Sequence, residues 1–162
     1  MSGGTCILIG APLDCGKRRR GCSMGPEAYR VAGLAETLAD LGWRVEDRGD
    51  VPGPKAPPPA PAGQVHARSE NIEWTRLLSN AARDAMATGF PIFLGGDHAL
   101  SLGTVAGVAD HAAAKGRPLF VLWLDAHPDI HSPATSASGN LHGTPIGYVT
   151  GQPGFDGFPP MA

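Results

Sequence analysis

Two carboxylates and an imidazole follow one apolar run within five residues, and these side chains have the clearest capacity for chemistry. The run is residues 119–124, and the side chains belong to Asp125, His127 and Asp129. Six consecutive apolar residues are typical of a strand buried on both faces inside a parallel sheet. Open α/β sheets bind their ligands at the carboxyl ends of such strands. Because oxygen and imidazole donors without a thiolate suit Mn²⁺, Fe²⁺ or Zn²⁺, the sequence predicts a divalent metal site.

Alternation along an extended backbone would point Asp125, His127 and Asp129 in one direction. Two other interpretations compete with the metal site. The acids could form a solvated turn after a strand, and a His-Pro-Asp tripeptide also serves partner docking in co-chaperone J-domains. J-domains place that tripeptide between two helices, whereas here an apolar run leads into it, so we favour the metal site.

A histidine follows the preceding strand of the predicted sheet. Residues 90–94 are expected to form this strand, which ends in Gly95-Gly96-Asp97-His98. The glycine pair permits a tight turn from strand to helix. A lone histidine is usually structural, but parallel strands bring their carboxyl ends to one edge of the sheet. We therefore expect His98 to face the acids and to act as a metal ligand.

The elements that position these residues alternate between strands and helices. A strand at 5–9, an amphipathic helix from Pro26 to about residue 41 and a strand from residue 43 form a β-α-β unit. Two further helices, at 70–88 and 100–114, flank the strand at 90–94. This order predicts an α/β fold with a mostly parallel sheet.

Composition limits the classes of function. A net charge of −2 argues against nucleic acid or an anionic membrane as the main partner, and no apolar run approaches the ~20 residues of a membrane span. Three cysteines are an odd set typical of reduced thiols, and no signal peptide is visible, so we expect a cytoplasmic protein. The length of 162 residues supports one domain, 1–162, with the proline-rich residues 52–63 as a surface loop.

A loop rich in small polar side chains follows the predicted metal site. Between residues 134 and 143 it combines hydroxyls, an amide and His142 within a glycine-bracketed segment. Such groups suit the recognition of a polar small molecule, with His142 as a proton carrier. The alternative is a flexible Ser/Thr loop, which we would prefer if the neighbouring acids were absent.

Taken in order, these motifs resemble the N-terminal part of an arginase, in the arginase/agmatinase (ureohydrolase) family. The glycine motifs are weak individually, but the two metal motifs and the last loop are specific together. The resemblance covers nearly the whole chain through Gly10-Ala11-Pro12, Gly25-Pro26-Glu27, residues 47–50, Gly95-Gly96-Asp97-His98, Asp125-Ala126-His127-Pro128-Asp129 and Ser138-Gly139-Asn140-Leu141-His142-Gly143. It implies a three-layer α/β/α sandwich, incomplete here at the C-terminal side, with a dinuclear Mn²⁺ centre.

The resemblance also implies a role for each residue of the site. His98 and Asp129 would bind one Mn²⁺ ion, His127 the other, and Asp125 both. The ions would acidify a water for attack on the guanidinium carbon of L-arginine, giving L-ornithine and urea. Asp129 would orient the attacking group, and His142 would carry the proton to or from the leaving amine. The substrate's carboxylate and amino group would be held by Ser138 and Asn140, with help from Ser136.

Two departures from the family pattern bear on these expectations. The family has Asn where this chain has His131, so agmatine or another guanidino compound is an alternative substrate. The family's second metal motif, Asp-x-Asp-x-x-Asp-Pro, has no counterpart here, so we expect weak metal binding and little turnover from 162 residues alone. A third alternative is a non-catalytic homologue that binds a partner through an open sheet edge. The oligomeric state is open, a homo-oligomer being the family's common form.

Overall fold

Three parallel strands form the sheet of the computed structural model, which describes residues 4–55 and 65–161. They are β1 (Thr5–Ala11), β2 (Arg44–Asp50) and β3 (Phe90–Gly95), in the spatial order β2-β1-β3. β1 is central and its apolar side chains are buried, with Ile7 and Leu8 fully enclosed. In the register between β1 and β3, Ala11 lies opposite Gly95, so both strands end at the same level.

Five helices complete the described fold: α1 (Gly25–Val31), α2 (Leu34–Asp40), α3 (Arg68–Met86), α4 (Leu100–Ala114) and α5 (Pro145–Val149). The connection from β1 to β2 runs in one direction across the sheet, and the connection from β2 to β3 runs back. Since crossovers between parallel strands are right-handed, the two connections place their helices on opposite faces. The α/β fold with a parallel sheet, expected from the sequence, is confirmed.

The largest part of the core lies between α3 and α4. Trp74 and Leu78 of α3 are buried together with Leu102 and Ala106 of α4. These residues recur at intervals of three or four, the spacing that gives a helix one apolar face. The core therefore fixes α4, whose first residues directly follow His98.

The single amphipathic helix expected from residue 26 to about residue 41 is wrong. The chain forms two short helices, α1 and α2, because Gly33 adopts a left-handed conformation with φ 82°. Such a conformation ends the helical hydrogen-bond pattern and suits glycine. Of the expected apolar stripe, Val31 and Leu41 are exposed, whereas Leu34 and Leu38 are partly buried. Pro26 lies in the first turn of α1 as expected, together with Glu27.

The buried strand expected at residues 119–124 is also wrong. The segment has no regular structure, and Phe120 and Leu124 are 85% and 87% exposed. A strand requires a hydrogen-bonded neighbour, and within the described residues none pairs with this segment. β3, the nearest strand, is separated from it by a groove of about 280 Å³ lined by Pro91, Phe93 and residues 119–122.

Two smaller expectations concern loops and membranes. Of the proline-rich loop expected at 52–63, residues 52–55 have no helix or strand, and residues 56–63 lie outside the described part of the chain. Among the helices of the described ranges, none combines the length and apolar character needed to cross a bilayer.

Candidate metal centre and substrate pocket

Every site residue expected from the sequence lines one pocket of about 430 Å³. The pocket lies where β3 ends, between the segment 125–129 and the loop 131–143. Side chains from three separate stretches of sequence meet there: His98, Asp125, His127, Asp129, His131, Ser136, Ser138, Asn140 and His142. The pocket therefore joins the predicted metal ligands to the predicted substrate contacts.

Three of the four expected metal ligands converge on one point. His98 Nδ1 lies 3.4 Å from Asp125 Oδ2 and 3.2 Å from Asp129 Oδ2. One ligand atom from each of these residues lies within 4.8 Å of the other two. An imidazole nitrogen and two carboxylates at this spacing form a donor set suited to a hard or borderline divalent cation.

Asp129 supplies the strongest indication that this cluster receives a cation. Its side chain is only 6% exposed, yet its Oδ2 atom makes no hydrogen bond within the described residues. Its backbone has a φ of 46°, which is uncommon for a residue other than glycine. Because leaving a buried carboxylate oxygen unsatisfied is costly, the arrangement fits an ion at this atom.

His127 does not join the cluster. Its ring is 82% exposed, with Nδ1 3.6 Å from Asp125 Oδ1. The expectation that residues 125, 127 and 129 point the same way is wrong, because the backbone bends at 125–127 and turns left-handed at Asp129. The His127 N–H donates to Asp125 Oδ1 at 2.8 Å, which closes this bend.

His98 is held by the turn after β3 and by an aromatic neighbour. The Gly96 N–H donates to the carbonyl of Ala11 at 2.8 Å, which fixes the turn against the end of β1. The His98 ring stacks on Trp123, with centroids 5.1 Å apart and an interplanar angle of 22°. Trp123 belongs to the largely exposed segment 119–124, and through this stack the segment contacts the turn that follows β3.

The loop of small polar residues is ordered by its own hydrogen bonds. The Ser136 hydroxyl donates to the carbonyl of Asn140 at 3.1 Å, and Ser138 Oγ accepts the Asn140 N–H at 3.2 Å. The Asn140 side-chain oxygen accepts the N–H of Arg18 at 3.2 Å. The loop is therefore folded rather than a flexible Ser/Thr segment, and its hydroxyls and amide line the pocket.

His142 lies beside the glycine- and arginine-rich loop of residues 15–21. The carbonyl of Gly16 accepts the N–H groups of Leu141 and His142, at 2.7 and 3.1 Å. His142 Nδ1 lies 3.4 Å from the same carbonyl. An Nδ1–H directed at this carbonyl leaves Nε2 free to take up a proton.

One pocket residue, Thr135, was not singled out in the sequence as a site residue. Thr135 lines the pocket, and its hydroxyl lies 3.4 Å from His131 Nδ1. It also accepts the N–H of Ser132 at 2.9 Å. Its position four residues after His131 was the available signal. The contact between Gly16 and His142 joins residues 126 positions apart in the sequence, and no motif predicted it.

Two carboxyls near the site have pKa shifts of opposite sign. The pKa of Asp125 lies below its ordinary value because the carboxylate accepts the N–H of His127 and lies near the His98 and His127 rings. Burial raises the pKa of Asp97 above its ordinary value, although Ala99 and Gly16 donate N–H groups to it. Of these two carboxyls, Asp125 is therefore the more readily ionised.

Comparison with known sequences places this fold and pocket in a family. The sequence profile of the Arginase family matches residues 4–157, and the chain belongs to that family. The arginase of Agrobacterium fabrum is 50% identical over 160 residues, which cover 98% of this chain and 49% of that protein. The arginase of Brevibacillus brevis is 42% identical over 146 residues, covering 89% of this chain and 47% of that protein. The chain thus spans about half the length of the curated relatives it matches.

Solved structures agree with this assignment. The native arginase of Bacillus caldovelox matches with a TM-score of 0.81 and 37% identity, covering 94% of this chain and 51% of that one. An Entamoeba histolytica arginase in complex with L-ornithine matches with a TM-score of 0.80 and 28% identity, over 94% of this chain and 51% of that one. The resemblance to arginases inferred from the motifs is confirmed.

Proposed function

We propose that this chain carries metal-binding and substrate-binding residues of an arginase-type ureohydrolase, which hydrolyses L-arginine to L-ornithine and urea. The observation that carries the proposal is the single pocket in which the His98, Asp125 and Asp129 cluster meets the polar loop and His142. The relatives named arginase and the L-ornithine in the Entamoeba structure support the choice of substrate.

Manganese is the metal we propose, with two ions in a complete site. His98 and Asp129 would hold one ion, His127 the second, and Asp125 both. Bound divalent ions acidify a water molecule and polarise the group it attacks. The unsatisfied Asp129 Oδ2 supports the first position, whereas the second requires the exposed His127 ring to turn inward.

The polar loop is proposed to bind the amino-acid end of the substrate. The Asn140 side-chain oxygen is occupied by the N–H of Arg18, so its amide N–H groups are the ones left to donate to a carboxylate. Ser138 Oγ accepts the Asn140 N–H, so its hydroxyl proton is likewise free to donate. The Ser136 hydroxyl donates its hydrogen bond to the Asn140 carbonyl, so Ser136 stabilises the loop. Two donors directed at one carboxylate would favour L-arginine over agmatine.

His142 is the proposed proton carrier. With Nδ1–H directed at the Gly16 carbonyl, Nε2 accepts the proton released from the attacking water and passes it to the leaving amine. Asp129, the buried member of the cluster, would orient that water. His131 stands where the family has Asn. This difference bears on how strictly the loop selects a substrate that carries an α-amino and a carboxylate group.

Calorimetric Mn²⁺ titration together with a urea-release assay tests this proposal. We expect the chain to bind Mn²⁺, and we expect His98→Ala to abolish binding while His111→Ala on α4 leaves it unchanged. Urea release, measured with and without the half of the Agrobacterium arginase that this chain does not span, should be higher with L-arginine than with agmatine. Absence of Mn²⁺ binding and of urea under both conditions would contradict the proposal.

We also propose a cytoplasmic location. The cysteines of the described residues are free, and Cys6 and Cys15 are buried. Burial raises the pKa of both thiols, so they stay protonated and unreactive. Free thiols are usual in reducing compartments, and subcellular fractionation checks the placement.

A second candidate function, binding of a protein partner, is favoured by the groove beside β3. Within the described part of the chain, β3 pairs only with β1, and its other edge faces the exposed residues 119–122. Unpaired edges and contiguous apolar surface are typical of sheet-completing interfaces. Because this chain spans about half of its relatives, we propose as occupant the other half of an arginase-family domain.

Sedimentation of the chain with that complementary half measures this binding. Val121 lines the groove, whereas Val31 is an exposed valine on α1. We expect Val121→Lys to abolish the complex and Val31→Lys to preserve it. A chain that remains monomeric alone and in the mixture would rule out this candidate.

A further inference from the structure

Asp97 is a buried carboxylate whose two oxygens each serve a different segment. Asp97 Oδ2 accepts the N–H of Gly16 at 2.7 Å, and Oδ1 accepts the N–H of Ala99 at 2.8 Å. The side chain is nearly inaccessible, with 3% exposure of the residue. Hydrogen bonds from N–H groups to a buried carboxylate are among the stronger polar contacts in proteins. Asp97 therefore fixes the position of Gly16 relative to the turn that carries His98.

Gly16 also makes hydrogen bonds with the loop that carries His142, so the two segments are held relative to each other. Its carbonyl accepts the N–H groups of Leu141 and His142, while its own N–H donates to Asp97. Gly16 is thus hydrogen-bonded on one side to the turn that carries His98 and on the other to the loop that carries His142. No other residue of the described chain bonds to both.

The approach of Gly16 to Asp97 leaves no room for a side chain. A Cβ atom at residue 16 would lie 2.2 Å from Asp97 Oδ1 and 2.4 Å from Ala99 Cβ. Both distances are far below van der Waals contact, so the packing itself requires glycine here. The loop is also held from the opposite side, because the buried Asn71 donates to the carbonyl of Cys15 at 3.0 Å.

We propose that Asp97 and Gly16 are positioning residues, which set the distance between His142 and the His98 cluster through the three hydrogen bonds that Gly16 makes with Asp97, Leu141 and His142. The inference rests on the proposed function for the meaning of that distance. The linkage itself is a property of the folded chain and is measurable without metal. Neither residue would touch substrate; both act through His142.

Amide hydrogen exchange of the metal-free chain tests the linkage. In Asp97→Asn and Gly16→Ala we expect the amides of Leu141 and His142 to exchange about tenfold faster relative to the Leu8 amide, which reports global unfolding. Asp14→Asn is the matched control. Its carboxylate accepts the N–H groups of Gly21 and Cys22 in the same loop but makes no contact with the 141–142 segment. Exchange at 141 and 142 should be unchanged there.

Two further measurements separate positioning from mere stability. In the wild-type chain, a scalar coupling across the hydrogen bond from Leu141 N–H to the Gly16 carbonyl should be detectable by NMR, whether or not the variants fold. Bound Mn²⁺ is paramagnetic and should broaden the NMR signals of the nearby His142 ring. At the same fraction of metal-loaded protein, this broadening should weaken in Asp97→Asn and persist in Asp14→Asn.

The outcomes distinguish this inference from the proposed function. A missing scalar coupling, exchange at 141 and 142 that only follows Leu8, or unchanged His142 broadening would each overturn the positioning role. Failure of the wild-type chain to bind Mn²⁺ would instead count against the proposed function, leaving the exchange and coupling results to decide the linkage.

Discussion

Strand β3 and the segment 118–128 both lead into residues of the proposed metal cluster, and their surroundings differ greatly. β3 pairs along its length with β1, and the turn after it is fixed by hydrogen bonds from Gly96 to Ala11, at the end of β1, and from Asp97 to Leu13. Within the described chain, residues 118–128 make no backbone–backbone hydrogen bond, and most of their apolar side chains are exposed. His98 and Asp129 nevertheless lie 3.2 Å apart.

The ligands of a site can therefore converge even where one of the segments that carries them is poorly packed. The ligands converge because β3 is anchored on one side. On the other side Asp129 is buried, and its carbonyl accepts the N–H of Gly147 within α5. The apolar run before Asp125 contributes little to the folded state as described.

Matched leucine truncations should give the largest contrast. Leu8 in β1 is fully buried, whereas Leu124 is 87% exposed. We expect Leu8→Ala to lower the free energy of unfolding by about 2–5 kcal/mol, because a cavity replaces packed atoms. Leu124→Ala should change it by less than about 0.5 kcal/mol. Urea denaturation measures both, and equal losses would mean that the segment is packed after all.

Metal affinity should distinguish the buried ligand from the exposed one. Asp129 is buried with an unsatisfied oxygen, and His127 points outward. We expect Asp129→Ala to weaken Mn²⁺ binding by about 100-fold or more, since carboxylate ligands offset the cost of dehydrating the cation. His127→Ala should have a much smaller effect in the isolated chain. Calorimetric titration would refute this ranking if His127→Ala were the more damaging change.

The stacking of Trp123 on His98 is the contact at which the two regions meet. Trp123→Ala should weaken Mn²⁺ binding about 2–10-fold, because the ring orients His98 and aromatic pairs contribute about 0.5–1.5 kcal/mol. Trp123→Phe should restore most of the affinity. Trp43→Ala removes a tryptophan that contacts Phe90 instead, and it serves as the control. Equal affinities in all three variants would show that the stack has no role in orienting His98.

Two carboxyls should titrate on opposite sides of their ordinary value in metal-free protein. The raised pKa of Asp97 means that its contribution to stability is present below its unfolded pKa and is lost as pH rises through the folded pKa. The lowered pKa of Asp125 means that its contribution is present above its unfolded pKa and is lost as pH falls through the folded pKa. Carboxyl ¹³C NMR titration measures both, and the reverse order would contradict the described contacts.

The residues that form the site were more predictable from the sequence than the strands and helices that hold them in place. Residue types and order were enough to nominate His98, Asp125 and Asp129, because donor type depends on short motifs that folding brings to one sheet edge. The strand at 119–124 failed because pairing depends on a neighbour, which a hydrophobic run cannot supply by itself. The helix after Pro26 was broken at Gly33, and the Gly16 contact with His142 could not be read from either loop alone.

Crystallography of the chain soaked with Mn²⁺, using anomalous scattering, tests the central claim most directly. We expect an anomalous peak within about 2.5 Å of His98 Nδ1 and of carboxylate oxygens of Asp125 and Asp129. A fully occupied Mn²⁺ peak elsewhere, or none at this cluster under saturating metal, would contradict it.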